Sequence, residues 1–195
     1  MALLRTATSS DLGPVIQSER VLLRTPQMSD YPDWAELRAA SREFLTPWEP
    51  LWAADELTRS SFRRRVRHYI RDLREDIGYA LFIFSAASGL LVGGLTLCNV
   101  RRGVTQACTL GYWIGAPHAR KGYMTAAVRA VIPFVFDSLE LHRLEAACLP
   151  ANAASIKLLE RTGFVREGMA RGYLKINGVW QDHLLYALLD SDRRR

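Results

Sequence analysis

The segment at residues 110–136, LGYWIGAPHARKGYMTAAVRAVIPFVF, constrains the fold more than any other stretch of the chain. It reads as an apolar strand over 110–114, a turn-rich loop over 115–121 and a helix that opens at Gly122. Arg120 and Lys121 stand beside that glycine. The open N–H groups of the helix start, a dipole equivalent to about +0.5 charge and two cationic side chains therefore converge, a combination that suits a phosphate. Two common phosphate motifs, G-x-x-x-x-G-K-[ST] and G-x-G-x-x-G, do not occur here.

Around this unit the chain divides into alternating elements. Residues 1–18 read as an N-terminal arm, and regular structure is expected from Glu19, with a first strand to Arg24. Ser29 or Asp30 offers a helix cap, and Trp34, Leu37 and Arg38 follow at helical spacing. The loop at 44–52 carries Trp48 and Trp52 among two prolines, a rigid edge suited to lining an acceptor groove or plugging the core. Over 55–73 the apolar residues Phe62, Val66, Tyr69, Ile70 and Leu73 recur at steps of three and four, which predicts an amphipathic helix with an arginine-rich outer face. Strands at 79–86 and 90–98 join across Ala87-Ser88-Gly89, and a third at 106–114 completes an antiparallel meander. The helix from Gly122 is expected to run to about Asp137, with Pro133 an interruption that deletes one hydrogen bond. A strand at 142–149 follows, then a helix capped by Asn152 and stopped by Gly163. A strand begins at 164–167, and 173–176 pairs with 180–188 through Asn177-Gly178, the strongest short hairpin signal in the chain.

A length of 195 residues suits one domain, expected over 19–190, with a basic tail at 191–195. The net charge of +6 is carried almost wholly by arginine, since lysine occurs only at 121, 157 and 175, so it argues weakly for a polyanionic partner. Cys98, Cys108 and Cys148 fall in apolar runs without C-x-x-C spacing and read as buried small hydrophobes in a reducing compartment. No run approaches roughly 18 apolar residues, and the first residues lack a sustained apolar h-region. A cytoplasmic protein without membrane contact is expected.

The loop ARKGYM followed by Thr125 resembles the pyrophosphate-binding loop of the GNAT superfamily of N-acetyltransferases, [QR]-x-x-G-x-[GA]. Ala119 stands at the first position, Arg120 where glycine is common, and Met124 at the last. The element order resembles the GNAT fold over roughly 19–190. The motifs NxxS at 152–155, LLERTGF at 158–164 and EGMARGYLKINGVWQDHLLYAL at 167–188 are most similar to bacterial ribosomal-protein-alanine N-acetyltransferases. The resemblance implies an α/β (α+β) fold: a mixed, mostly antiparallel sheet of about seven strands, splayed between its fourth and fifth strands and flanked by about four helices. It implies acetyl-CoA as the donor, with its diphosphate on Ala119, Arg120, Lys121, Gly122, Tyr123, Met124 and Thr125. The pantetheine arm would lie along Trp113 and Ile114, with Asn152 and Ser155 also touching the cofactor. Ser155 matches the position proposed to protonate the departing thiolate, and Glu167 the general base. Tyr173 and His183 are reserves, although a histidine on the last strand reads more simply as a core residue. No metal is implied.

The expected activity is acetylation of a protein N-terminal α-amine, with a ribosomal protein beginning with Ala as the target and Trp48, Trp52, Tyr173 and Trp180 contacting it. An α-amine of pKa near 7.8 is roughly 20–30% neutral at physiological pH and asks far less of a base than a lysine, which is about 0.1% neutral. A small-molecule amine acetyltransferase acting on a polyamine or aminoglycoside is the alternative, for which Glu49, Asp55, Glu56 and Asp182 are available acids. A non-catalytic CoA-binding or ribosome-associated module is the third reading. Sequence-specific nucleic-acid binding is not expected, and the protein is taken to be a monomer or homodimer.

Overall fold

The structure is a computed structural model that describes Leu3–Leu4 and residues 13–194. Nine strands form one sheet: β1 (Leu3–Leu4), β2 (Val15–Gln17), β3 (Val21–Arg24), β4 (Tyr79–Ser85), β5 (Leu91–Arg101), β6 (Ala107–Ile114), β7 (Arg143–Cys148), β8 (Val165–Ile176) and β9 (Val179–Leu189). Their spatial order is β1-β2-β3-β4-β5-β6-β7-β9-β8. Every neighbouring pair is antiparallel except β6 and β7. That pair is joined by a helical crossover, the connection parallel strands require. The helices are α1 (Tyr31–Ala40), α2 (Arg42–Leu45), α3 (Arg59–Arg74), α4 (Tyr123–Pro133) and α5 (Ala153–Arg161). This is the mixed, mostly antiparallel α/β layout expected from the sequence.

Strand alternation separates two cores. On β4, Leu81 and Ile83 join a large cluster with Ala127, Val128 and Val131 of α4 and Leu159 of α5. Phe82 and Phe84 point the other way, onto Trp34 and Leu37 of α1 and Phe62 and Val66 of α3. The same alternation sends Leu110 and Tyr112 of β6 toward α4 and α5, and Trp113 toward α1 and α3. Trp113 fits there because β5 has glycine opposite it: a Cβ on Gly94 would stand 2.4 Å from the indole nitrogen.

Several expectations need correction. Among the described residues the sheet has nine strands, somewhat more than about seven, and two of them lie within the segment read as an arm. Ile16 is 2% exposed and pairs with Leu23, so this apolar stretch belongs to the sheet, while residues 1–2 and 5–12 of the expected arm lie outside the described residues. β8 is one continuous strand of 12 residues that absorbs irregularities near Arg166–Gly168 and between Ala170 and Leu174. Asp30 precedes α1 but makes no side-chain cap; its buried carboxylate instead takes Arg24 at 2.8 and 2.5 Å and the Gln27 amide at 2.7 Å. α3 starts at Arg59, capped by the Thr58 hydroxyl, which accepts from the Ser61 amide at 3.2 Å. Pro133 ends the α-helical portion of α4, and residues 134–138 continue as a wider π-helical turn in which the Leu139 amide reaches the Phe134 carbonyl. Within the basic tail, Arg193 binds Asp137 at 2.8 Å, and Arg195 lies outside the described residues. Cys108 and Cys148 are buried and Cys98 is half-buried, all three as free thiols. Among the described residues no helix is long and apolar enough to cross a membrane.

Candidate active site

The β6–β7 ladder runs only from Ala107 opposite Arg143 to Leu110 opposite Ala146. Beyond it, Gly111 to Ile114 remain bonded to β5 alone, while Ala147 and Cys148 follow β9. The two strands therefore part, and the β7-side edge of β6 from Gly111 to Ile114 is open to an added extended segment. This is the splay expected between the fourth and fifth strands of the shorter count.

At the end of that edge the chain makes a single turn of 3-10 helix (Ala116–His118) and then the basic loop. Arg120 and Gly122 both adopt left-handed backbone conformations, with φ of 60° and 81°. At Gly122 this conformation needs no Cβ, whereas at Arg120 it costs roughly 1–2 kcal/mol. Among the described residues no backbone carbonyl takes the N–H groups of residues 120–125, and those of Tyr123, Met124 and Thr125 project from the N-terminus of α4. Arg120, Lys121 and Gly122 are exposed, while the Met124 side chain is buried in the core, so only its amide faces outward. Arg20, between β2 and β3, adds a third cation. It donates to the Lys121 carbonyl at 2.8 Å and lies over the Tyr123 ring at 5.8 Å. Burial and the neighbouring Lys121 both lower the pKa of His118 below its usual value, so this imidazole adds little charge to the loop near neutral pH.

Inside the splay, Tyr112 of β6 meets Ser155 at the start of α5, with hydroxyl oxygens 2.5 Å apart. Ser155 is 8% exposed, and its amide is held at 3.0 Å by the side-chain oxygen of Asn152, which caps the helix. Burial pushes the Tyr112 phenol well above the usual tyrosine range, so it keeps its proton. Burial also raises the Cys148 thiol, which Ser155 partly offsets by hydrogen bonding to it.

Glu167 is not brought to this centre. Its carboxylate binds both terminal nitrogens of Arg143, one at 2.9 Å, and Arg143 holds Glu145 at 2.9 Å. Arg101 closes on Glu145 from β5. Arg143 begins β7, at the end still paired to β6, whereas Ser155 lies against Cys148 at the other end. The bond to Arg143 draws the Glu167 carboxyl below its ordinary range. An ion-paired carboxylate is a weaker proton acceptor, so the free base expected at Glu167 is not what this geometry supplies.

The aromatic rim is better assembled. Arg38 is 6% exposed and lies between two indoles, 4.2 Å from Trp52 and 4.9 Å from Trp113. It grips Glu49 at 2.6 and 2.7 Å, and Trp52 donates to the same carboxylate at 2.8 Å. The Asn177 amide, in the turn between β8 and β9, donates to the Glu49 carbonyl at 2.9 Å. The tryptophan loop, the open strand and the hairpin are thus joined through two residues. Trp48 and Trp180 are exposed, and Tyr173 packs edge-on against His183, whose ring is buried and bonded to the Gln181 carbonyl at 3.0 Å.

The pattern of the family described as "Acetyltransferase (GNAT) domain" matches residues 20–165. The chain belongs to the GNAT acetyltransferase family. A probable N-acetyltransferase of Bacillus subtilis, YjcK, is 35% identical over 91% of this chain and 98% of its own length. The [ribosomal protein uS5]-alanine N-acetyltransferase of Escherichia coli is 33% identical over 91% of each chain. Among solved structures, Mycobacterium smegmatis RimJ in complex with CoA-disulfide superposes with a TM-score of 0.85 at 30% identity, over 94% of this chain and 89% of that one.

Four residues of this GNAT domain were not picked out as site residues from sequence. Tyr112 was legible in principle, because alternation along β6 puts it on the face opposite Trp113 and toward the helix that follows β7. Arg38 stands at helical spacing from Trp34 and Glu49 is an available acid, but nothing in the sequence pairs them. Arg20 lies 101 residues from its partner Lys121, and nothing local marks it.

Proposed function

We propose that this acetyltransferase moves an acetyl group from acetyl-CoA to the α-amine of a protein N-terminus, with a ribosomal protein that begins with Ala or a similarly small residue as its target. The observation that carries the donor half is the set of amides at residues 120–125 that no backbone carbonyl among the described residues takes, set beside a strand edge that β7 leaves open. These residues fit the group: three cations and a helix start suit a diphosphate, and the free edge of Gly111 to Ile114 suits an amide-bearing arm. Bound acetyl-CoA would supply the thioester that the amine attacks.

Ser155 is assigned the proton donor for the departing sulfur. Its hydroxyl would give a proton to the departing sulfur while the protonated Tyr112 phenol, in contact at 2.5 Å, stabilises the serine oxygen; the acylated nitrogen would release its proton to solvent, and solvent would return one to the serine. Asn152 fixes the serine by holding its amide. With Glu167 committed to Arg143, the amine is taken to react from its neutral fraction, roughly 20–30% for an α-amine near pH 7.4. Trp48, Trp52, Tyr173 and Trp180 are assigned to the acceptor side. The peptide reading is supported by the uS5-alanine acetyltransferase relative. It is also supported by the fate of the acids that a small polycation would need: Glu49 is bound to Arg38, Asp55 to Arg64, Glu56 to Arg65, and Asp182 to the Gly172 amide.

Two measurements test this. Acetyl-CoA at 100 times its dissociation constant adds about 2.7 kcal/mol of stability, and at about 2–4 °C per kcal/mol the melting temperature rises by roughly 5–11 °C; no shift refutes the donor site. Thiol release is then followed with Ala-initiated peptides, spermidine and an aminoglycoside, and turnover confined to the small amines overturns the acceptor assignment.

A further inference from the structure

We infer that the outer face of α3 is a docking surface for the phosphodiester backbone of folded RNA, separate from the acetyl-transfer site. The helix Arg59–Arg74 contains seven arginines and one aspartate. That excess of six positive charges equals the net charge of the whole 195-residue chain, so the rest of the molecule is balanced and the excess is localised on one element. Two of the arginines are neutralised from the preceding loop, Arg64 by Asp55 and Arg65 by Glu56. Arg63, Arg67 and Arg71 are exposed and stand four residues apart, about 6 Å of helix rise between neighbours. Among the described residues no carboxylate pairs with Arg63 or Arg67, and Arg71 meets the His68 ring at 2.5 Å and Asp72 only at 3.6 Å. Arg67 and Arg71 line a depression with Ile70, Arg74 and Glu75.

The chemistry selects the partner. A row of guanidinium groups at regular spacing matches a polymer of phosphates, to which each fork binds through two parallel hydrogen bonds. An anionic membrane fits less well, because a helix that lies in the interface buries an apolar face there, and the apolar face of α3 is spent on the core through Phe62 and Val66, 0% and 5% exposed. Sequence readout is not implied, since backbone contacts carry no base information.

The test uses the full chain without acetyl-CoA. Binding to a fluorescent 20-base-pair RNA duplex of arbitrary sequence is measured by anisotropy from 50 to 200 mM salt, against poly-glutamate and vesicles of phosphatidylserine and phosphatidylcholine. The variant Arg63→Gln/Arg67→Gln/Arg71→Gln is expected to bind RNA about tenfold or more weaker, with the slope of log K against log salt reduced by roughly 2–3, at about 0.7–0.9 per lost phosphate contact. Its melting temperature and its acetylation of a free peptide are expected to stay at wild-type values. Arg129→Gln/Arg166→Gln/Arg171→Gln removes the same charge elsewhere and is expected to keep the binding. Equal losses in the two triple variants, an unchanged slope in the α3 variant, or tighter wild-type binding to poly-glutamate or vesicles than to RNA overturns the inference. Arg67→Glu alone repeats the test with a single change, should the triple variant lose its melting transition.

Discussion

Replacing Glu49 by Gln puts the physics of the aromatic rim under direct test. The Arg38–Glu49 pair is bidentate, at 2.6 and 2.7 Å, with side chains only 7% and 18% exposed. A guanidinium is a permanent cation in proteins. The variant therefore leaves a guanidinium charge between Trp52 and Trp113 without its counter-charge, and the Nε of Arg38 already has no partner. Breaking one side of a buried pair costs about 3–5 kcal/mol, whereas replacing both sides with apolar groups is often neutral. At about 2–4 °C per kcal/mol for a chain of this size, Glu49→Gln should lower the melting temperature by roughly 6–20 °C. Arg38→Met/Glu49→Leu should recover most of that loss and be more stable than Glu49→Gln. Calorimetry or circular dichroism at pH 7 reads the transition. Because Trp52 donates to the same carboxylate, the single variant should also raise the KM for peptide while leaving acetyl-CoA affinity unchanged. A Glu49→Gln protein melting within about 2 °C of wild type, or a double variant no better than the single one, would refute the reasoning.

Other outcomes follow from the same geometry. Ser155→Ala should reduce kcat by about 10²-fold or more if the hydroxyl is the proton donor; Tyr112→Phe should reduce it in the same direction, and the double variant should show less than the product of the two, as expected for groups that act as a unit. A Tyr112→Phe enzyme with wild-type kcat limits that tyrosine to packing. Glu167→Gln should change kcat less than about threefold at pH 7.5, and a fall near 10²-fold would restore the base role. The Glu167 carboxyl is depressed by Arg143, so its contribution to stability is present above the ordinary carboxylate pKa and lost as pH falls through the folded value. Melting curves of wild type and Glu167→Gln should therefore differ near pH 7 and converge once the pH falls below the folded carboxyl value, by a small amount because the pair is solvent-exposed. Gly94→Ala, which sets a Cβ 2.4 Å from the Trp113 indole nitrogen, should destabilise by about 1–3 kcal/mol, and an unchanged melting temperature would show that the indole moves freely.

What the sequence alone determined is what short-range chemistry encodes. β-rich runs bounded by turn residues marked β4, β5 and β6, three- and four-residue spacing marked α3 and its buried Phe62 and Val66, and the caps at Asn152 and Gly163 bounded α5. Asn177-Gly178 fixed the last turn, with φ of 44° and 83° at its two residues. The turn of residues 115–122 and the helix start after it were legible for the same reason, since a glycine before an apolar helical run is a local mark. Tertiary structure alone decided the partners. Tyr112 finds Ser155 across 43 residues, Arg20 reaches Lys121 across 101, and Arg143 captures Glu167 across 24. Such choices depend on which side chains the twisted sheet and its crossover bring within about 3 Å, and a charge or hydroxyl carries no local mark of the group it will meet. Glu167 is the clearest case: its place in the chain suggested a free base, and the arginine that folding set beside it turned it into an ion-pair partner.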